Sequence, residues 1–265
     1  MIYNVMSRFP ALFISHGPPT LALDDSPARR FLAGYGAELG RPEAILVVSA
    51  HWETAAPALS SAPRPETIYD FFGFPAPLYQ MVYGAPGAPD LARRTAALLE
   101  EAGLGAATDP VRGLDHGAWV PLMLLYPTAD IPTAQLSIQT PLGPRHHHAL
   151  GQALQPLRDE GVLILGSGNM THNLSEFRGR APDAPAPDWV TAFNDWAAEA
   201  LAEARTGDLL DYRARAPYGP ENHPSEDHLL PLFVALGAGG PGHGGRRLHA
   251  SYLYGVLAMD AYAFD

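Results

Sequence analysis

Three segments of this chain share one grammar: an apolar run rich in branched residues that leads into a histidine. Pro10-Ala11-Leu12-Phe13-Ile14-Ser15 runs into His16-Gly17-Pro18-Pro19, and Ala44-Ile45-Leu46-Val47-Val48-Ser49-Ala50 runs into His51-Trp52-Glu53. The third, Gly161-Val162-Leu163-Ile164-Leu165-Gly166-Ser167-Gly168-Asn169-Met170-Thr171, runs into His172-Asn173. Continuous apolar runs of this length read as strands buried on both faces, and such strands belong to largely parallel sheets covered by helices. Ligands of these sheets bind beyond the carboxyl ends of the strands. Core strands that each deliver an imidazole to one rim point to a metal site.

The rest of the chain fits one α/β domain spanning residues 1–265, with a mostly parallel or mixed central sheet flanked by helices and the metal site at the carboxyl ends of its strands. Asp24-Asp25-Ser26-Pro27 caps a helical pattern over Ala28 to Leu39. Pro89 to Ala102, Arg145 to Glu160 and Asp188 to Arg205 also carry helical patterns, and in the last of these Trp189, Phe193 and Trp196 form a stripe that reads as core. Ile131 to Ile138 reads as a strand, and 246–256 alternates like a strand with one exposed face. Asp115-His116-Gly117-Ala118-Trp119 places a histidine just ahead of a short apolar helix. Ser225 can cap a helix with an acidic first turn that ends on His228. Residues 55–89, rich in proline and aromatics around Tyr69-Asp70-Phe71-Phe72-Gly73-Phe74, have no clean period. A loop this long is usually functional, so it either lines the pocket or forms an arm that packs aromatics on the core or on a second subunit.

Composition removes several classes of function. The formal net charge is −11, and no basic cluster exceeds Arg93-Arg94 or Arg246-Arg247, which argues against nucleic acid and against anionic membrane surfaces. Cysteine is absent, so any transition-metal site must use histidine and carboxylate. The segment Met1 to Arg8 lacks the pattern of a signal peptide, and no apolar run reaches the roughly 20 residues of a membrane span. These features lead to the expectation of a cytoplasmic protein, with homo-oligomer formation left open.

The chain holds 11 histidines, which must be sorted. His146, His147 and His148 are consecutive on a helix, do not share a face, and cannot chelate together. His243 and His249 read as structural or solvated. His16 and His51 follow strands, and His228 supplies a third imidazole; three protein ligands with open positions mark a catalytic metal site. His116 and His172 then remain for proton transfer. His223 could orient His228 or contact a ligand, and Tyr218 is a second candidate for substrate contact. On residue chemistry alone a three-histidine zinc site performing hydrolysis fits equally well; a non-enzymatic binding protein is the other alternative, and the presence of His116 and His172 beside the three candidate ligands argues against it.

Five ordered motifs add a resemblance. Ser15-His16-Gly17-Pro18-Pro19, Ser49-Ala50-His51-Trp52, Gly113-Leu114-Asp115-His116-Gly117-Ala118-Trp119, Gly166-Ser167-Gly168-Asn169-Met170-Thr171-His172-Asn173-Leu174 and His223-Pro224-Ser225-Glu226-Asp227-His228 together resemble the DOPA 4,5-dioxygenase family. This family belongs to the class III extradiol ring-cleaving dioxygenases. The resemblance implies an Fe(II) enzyme that opens a catechol with O2 to a muconic semialdehyde, with zinc able to occupy the isolated protein. It also implies His16, His51 and His228 as metal ligands and His116 and His172 as the groups that handle protons, His172 also being a candidate fourth ligand to zinc.

Overall fold

In the computed structural model, which describes residues 8–265, the three histidine-tipped segments become neighbours in one sheet. β1 (Ala11–Ser15) pairs in parallel with β6 (Val162–Gly168), β6 in parallel with β2 (Ala44–Glu53), and β2 in parallel with β5 (Thr133–Ile138). The short strands β3 (Ala58–Ser60) and β4 (Ala107–Asp109) extend one flank. On the other, β10 (Ala261–Phe264) lies antiparallel beside β1 and carries β7 (Arg246–His249). The order is β4-β3-β5-β2-β6-β1-β10-β7, a mixed sheet with a parallel centre, as expected from the sequence. Because the central strands run the same way, their carboxyl ends share one edge.

Alternation along the strands feeds two separate cores. Leu12, Ile14, Ile45, Val47, Leu163 and Leu165 pack on one side against α1 (Pro27–Leu39) and α3 (His116–Leu125). Phe13, Leu46, Val48 and Ile164 face α2 (Pro89–Glu101), α4 (Gly143–Asp159), α5 (Asp188–Ala202) and α9 (Leu230–Gly239) on the other. The short helices α6 (Thr206–Leu210), α7 (Tyr212–Arg215) and α8 (Gly219–Asn222) link α5 to the segment that carries His228. The Ser26 hydroxyl accepts from the Arg29 amide and Pro27 occupies the first turn of α1, the cap read from the sequence. No helix among the described residues is long and apolar enough to cross a membrane. Met1 to Ser7, on which most of the signal-peptide reading rests, lie outside the described residues.

Two local expectations need correction. Ser225 caps no helix: its hydroxyl bonds the Asp227 carboxylate, and the helix after His228 begins only at Leu230, with Pro231 in its first turn. Proline presets that turn; residues 226–229 form a tight turn instead, with the Leu229 amide donating to the Glu226 carbonyl. The strand expected over 246–256 is also interrupted. β7 stops at His249, and Tyr252–Leu253 (β8) pairs with Leu257–Ala258 (β9) in a small separate ladder.

Of the three consecutive histidines, His147 is the one with a structural place. His147 is buried, its Nδ1 donates to the Gly143 carbonyl at 2.7 Å, and its Nε2 accepts from the Gln139 amide at 3.1 Å. Burial pushes its pKa from 6.5 down to about 4, against a smaller upward pull from the Gly143 carbonyl. The folded state therefore binds fewer protons than the unfolded chain. Stability from this group is complete above pH 6.5 and lost as pH falls toward 4, a term on the order of 3 kcal/mol. Urea unfolding should show a midpoint that drops across this window, and His147→Gln should be less stable at pH 7 with a shallower drop. Parallel pH curves for the two proteins would refute the assignment.

Candidate metal centre

At the shared edge the backbone is tied together before any side chain is considered. The His16 amide donates to the Gly168 carbonyl at 2.9 Å, and the Asn169 amide to the His228 carbonyl at 2.9 Å. The Asn169 side chain accepts from the amide of Gly17, whose φ of +60° turns the chain after β1. A Cβ on Gly168 would stand 2.0 Å from the His228 carbonyl, so only glycine lets the His228 segment settle on the end of β6. His51 lies within β2 rather than past its end, where the register with β5 shifts between Val48 and Glu53. Irregularities of this kind re-aim side chains.

His16 Nε2 lies 3.1 Å from His51 Nε2, and His51 Nε2 lies 3.3 Å from His228 Nε2. The proton positions follow from the other ring nitrogens. Ser167 Oγ donates to the Gly117 carbonyl at 2.5 Å, so toward His16 Nδ1, 3.0 Å away, it can only accept. His228 Nδ1 meets the Asp227 carboxylate, and His51 Nδ1 lies 3.5 Å from Asp70 Oδ2. His16 and His228 therefore carry the hydrogen on Nδ1, the Asp70 carboxylate beside His51 Nδ1 favours the same tautomer there, and with it three Nε2 lone pairs point at one another. Such an arrangement is repulsive unless a cation sits between them, and imidazole nitrogens about 2 Å from one ion stand at about this mutual spacing.

Burial and mutual crowding keep the rings neutral, as ligation requires. Burial, then the neighbouring imidazoles led by His51, pushes His16 well below the usual range; burial and then His172 do the same for His228. Burial followed by His116 brings His51 to about 4 despite opposing carboxylates.

The remaining two candidates flank this cluster. Asp115 caps α3, accepting from the Ala118 amide and from Ser49 Oγ at 2.6 Å, which sets His116 as the first helical residue. The His116 amide and its Nδ1 both donate to Asp70, each at 2.9 Å. His172 stacks on His228 with ring centroids 3.4 Å apart and planes 12° from parallel. Burial pushes His172 to about 4, against an upward pull from Asp227.

These histidines form the floor of a cavity of about 450 Å³, a volume suited to a small aromatic ligand. Phe71 and Phe74 of the long proline-rich loop form part of its wall, so that segment does line the pocket. It also packs inward, with Tyr83 buried and the Tyr69 hydroxyl on the Met81 carbonyl, so both readings of it hold. Leu174, Phe177 and Tyr254 also line it, and among the described residues Arg178 is the single one in its lining with a full charge.

Two sequence candidates do not reach the cavity. His223 is fully buried, donates from Nε2 to the Met170 carbonyl at 2.9 Å and packs against Phe193 and Tyr212. Tyr218 is half exposed at the start of α8, held in the left-handed region at φ +55°, and does not line the wall. The sequence reading missed Asp70, Ser167 and Asp227, the groups that orient the rings. Asp227 had a signal, a carboxylate adjacent to a candidate ligand; Asp70 had only its place among loop aromatics.

Gly117 gives a direct test of how tightly the centre is packed. A methyl there would lie 2.4 Å from Ser49 Oγ and 3.0 Å from His51 Cδ2. Alanine in a helix interior is ordinarily favourable by about 1 kcal/mol over glycine. Gly117→Ala should nevertheless lower metal affinity by about 10–100-fold through displacement of His51. Metal titration with unchanged affinity would show that the ring has room to shift.

Comparison with known proteins agrees with this geometry. Residues 10–264 match the family described as the catalytic LigB subunit of aromatic ring-opening dioxygenase. A Beta vulgaris protein named 4,5-DOPA dioxygenase extradiol is 48% identical, over 98% of this chain and 97% of its own length. A protein of the same name from Escherichia coli K12 is 40% identical over 88% of this chain and 86% of its own. The crystal structure of an uncharacterized Escherichia coli K12 protein superposes with a TM-score of 0.82 at 34% identity, covering 97% of this chain and all of that one.

Proposed function

The chain belongs to the LigB family of aromatic ring-opening dioxygenases, within its DOPA 4,5-dioxygenase members, and from that premise we propose how its own residues carry the reaction. It is a metal-dependent extradiol enzyme that joins O2 to a catechol. The hydrolase and non-enzymatic readings are not favoured by these relatives. We assign DOPA or a related carboxylate-bearing catechol as substrate, Fe(II) as the working metal, and His16, His51 and His228 as its ligands. The observation that carries the assignment is the convergence of three Nε2 atoms, with hydrogen-bond partners on the opposite nitrogens of His16 and His228 and the Asp70 carboxylate 3.5 Å from that of His51.

His16, His51 and His228 would hold Fe(II), which would supply the Lewis acidity and redox chemistry the reaction needs and let both substrates meet at one site without the entropic cost of a free encounter. The chain's residues do the rest. His116 lines the cavity with its Nδ1 engaged by Asp70, which leaves Nε2 to take a hydroxyl proton as the catechol binds. His172, stacked at the far side of His228, is placed to hold the second proton for the oxygen that accepts it as the ring opens. Phe71, Phe74 and Phe177 hold the ring and restrict water. Arg178 at the wall supplies the charge for a carboxylate.

The test is oxygen uptake after anaerobic loading. Fe(II)-loaded protein should consume O2 with DOPA and yield the yellow absorbance of a muconic semialdehyde, and zinc-loaded protein should not. Equal activity with zinc, or none with any catechol, would end the assignment.

A further inference from the structure

We propose that Asp70 is a positioning residue that fixes His116 as the Nδ1–H tautomer, which makes the aromatic loop carrying it part of the catalytic unit. The proposal rests on the assignment of His116 as the base. Asp70 lies 46 positions from His116 in sequence, yet both of its oxygens hydrogen-bond that residue: Oδ1 accepts from the backbone amide and Oδ2 from the ring. A bond that merely anchored the loop to the start of α3 would need only the first. A carboxylate can only accept, so Nδ1 must carry the proton, and the hydrogen bond on one imidazole nitrogen decides which tautomer is present.

Nε2 of His116 has no hydrogen-bond partner among the described residues, and the ring lines the cavity. The proton transfer then balances simply. A catechol O–H bond breaks, the proton joins the Nε2 lone pair, the electron pair stays on the catechol oxygen, and the imidazolium formed faces the Asp70 carboxylate. The loop is held to the same segment on either side of Asp70. Ile68 donates from its amide to the Leu114 carbonyl at 2.7 Å and accepts from Trp119 Nε1 at 3.0 Å, and Phe71 packs edge-on against His116 with centroids 5.7 Å apart. Oδ2 also lies 3.5 Å from His51 Nδ1, so the experiment must separate the base from the metal ligand.

Asp70→Asn makes that separation. Its carbonyl can still accept from the His116 amide while its NH2 donates to Nδ1, which moves the ring proton to Nε2 and leaves no lone pair for the substrate. In the Fe(II)-loaded protein kcat should fall by about 10²–10⁴-fold, with KM within about threefold and one metal per chain by elemental analysis. In a His116→Ala background the same change should cost nothing further, and Asp70→Glu should recover part of the rate. In zinc-loaded protein, which is diamagnetic, nitrogen NMR should show His116 Nε2 unprotonated in the parent and protonated in Asp70→Asn.

A kcat within about threefold of the parent, an equal loss in the His116→Ala background, or a protonated Nε2 in the parent would each overturn the proposal. So would metal loss in step with rate, which would place the carboxylate's action on His51. If the parent consumed no O2 with any catechol, the proposed function would fail, while the NMR measurement would still decide the tautomer.

Discussion

Changing His16, His51 or His228 to alanine is expected to leave a folded protein that no longer holds its metal. These rings lie at the edge of the sheet, outside the two apolar cores, so the fold does not depend on them. Loss of an outer partner alone costs about 10–100-fold in metal affinity, and loss of a ligand should exceed that, with turnover at background. The sign of the stability change distinguishes this centre from an ordinary polar cluster. Without metal, three neutral imidazoles oppose their lone pairs at 3.1 and 3.3 Å, and removing one relieves that opposition. The metal-free alanine variants should melt no lower than the metal-free parent. Added metal should raise the parent's stability by about 2.7 kcal/mol at 100 times its dissociation constant, and the variants' hardly at all. A variant with full metal content and turnover would remove that histidine from the ligand set.

The sequence made the centre of the sheet plain and its edges obscure, for physical reasons. β1, β2 and β6 are buried on both faces, so nearly every position must be apolar and the runs stand out. β10 is as buried as they are but only four residues long, Ala261–Phe264, and its antiparallel place beside β1 is decided by tertiary pairing alone. Of the proposed ligands, His16 and His51 were legible because β-sheet topology sends strand ends to one rim. Their partners were not, since any acceptor that folding brings near an Nδ1 will serve: Ser167 in a neighbouring strand for His16, Asp227 in the preceding position for His228, Asp70 in a loop for His51 and His116. His223 misled for the opposite reason. Its motif position beside His228 suggested the cavity, but an imidazole with a carbonyl partner and aromatic neighbours is as well satisfied in the interior, where burial pushes its pKa to about 4.

Reversing the charge of Arg178 should redirect substrate choice more than it slows catalysis. Arg178 is exposed at the cavity mouth, and neither an ion pair nor a side-chain hydrogen bond engages it among the described residues. Every other described wall residue is apolar, uncharged or an imidazole, so among the described residues a carboxylate on the catechol side chain finds its complementary charge only there. A charge-assisted hydrogen bond contributes about 1.5–3 kcal/mol, and solvent at the mouth places this one near the low end. Arg178→Gln should therefore lower kcat/KM for 3-(3,4-dihydroxyphenyl)propanoate by about tenfold, through KM. Arg178→Glu adds repulsion to that loss and should bring the total to about 100-fold. Dopamine, which carries an ammonium and no carboxylate, should respond in the opposite direction and become the better substrate of the Glu variant. DOPA, with both groups, should fall between. Since His116, His172 and the three proposed ligands are untouched, kcat at saturation should hold for all three catechols. Raised salt should narrow the parent's preference, because exposed charges are screened. Equal loss on the carboxylate and ammonium catechols would mean that Arg178 shapes the cavity wall and does not read charge.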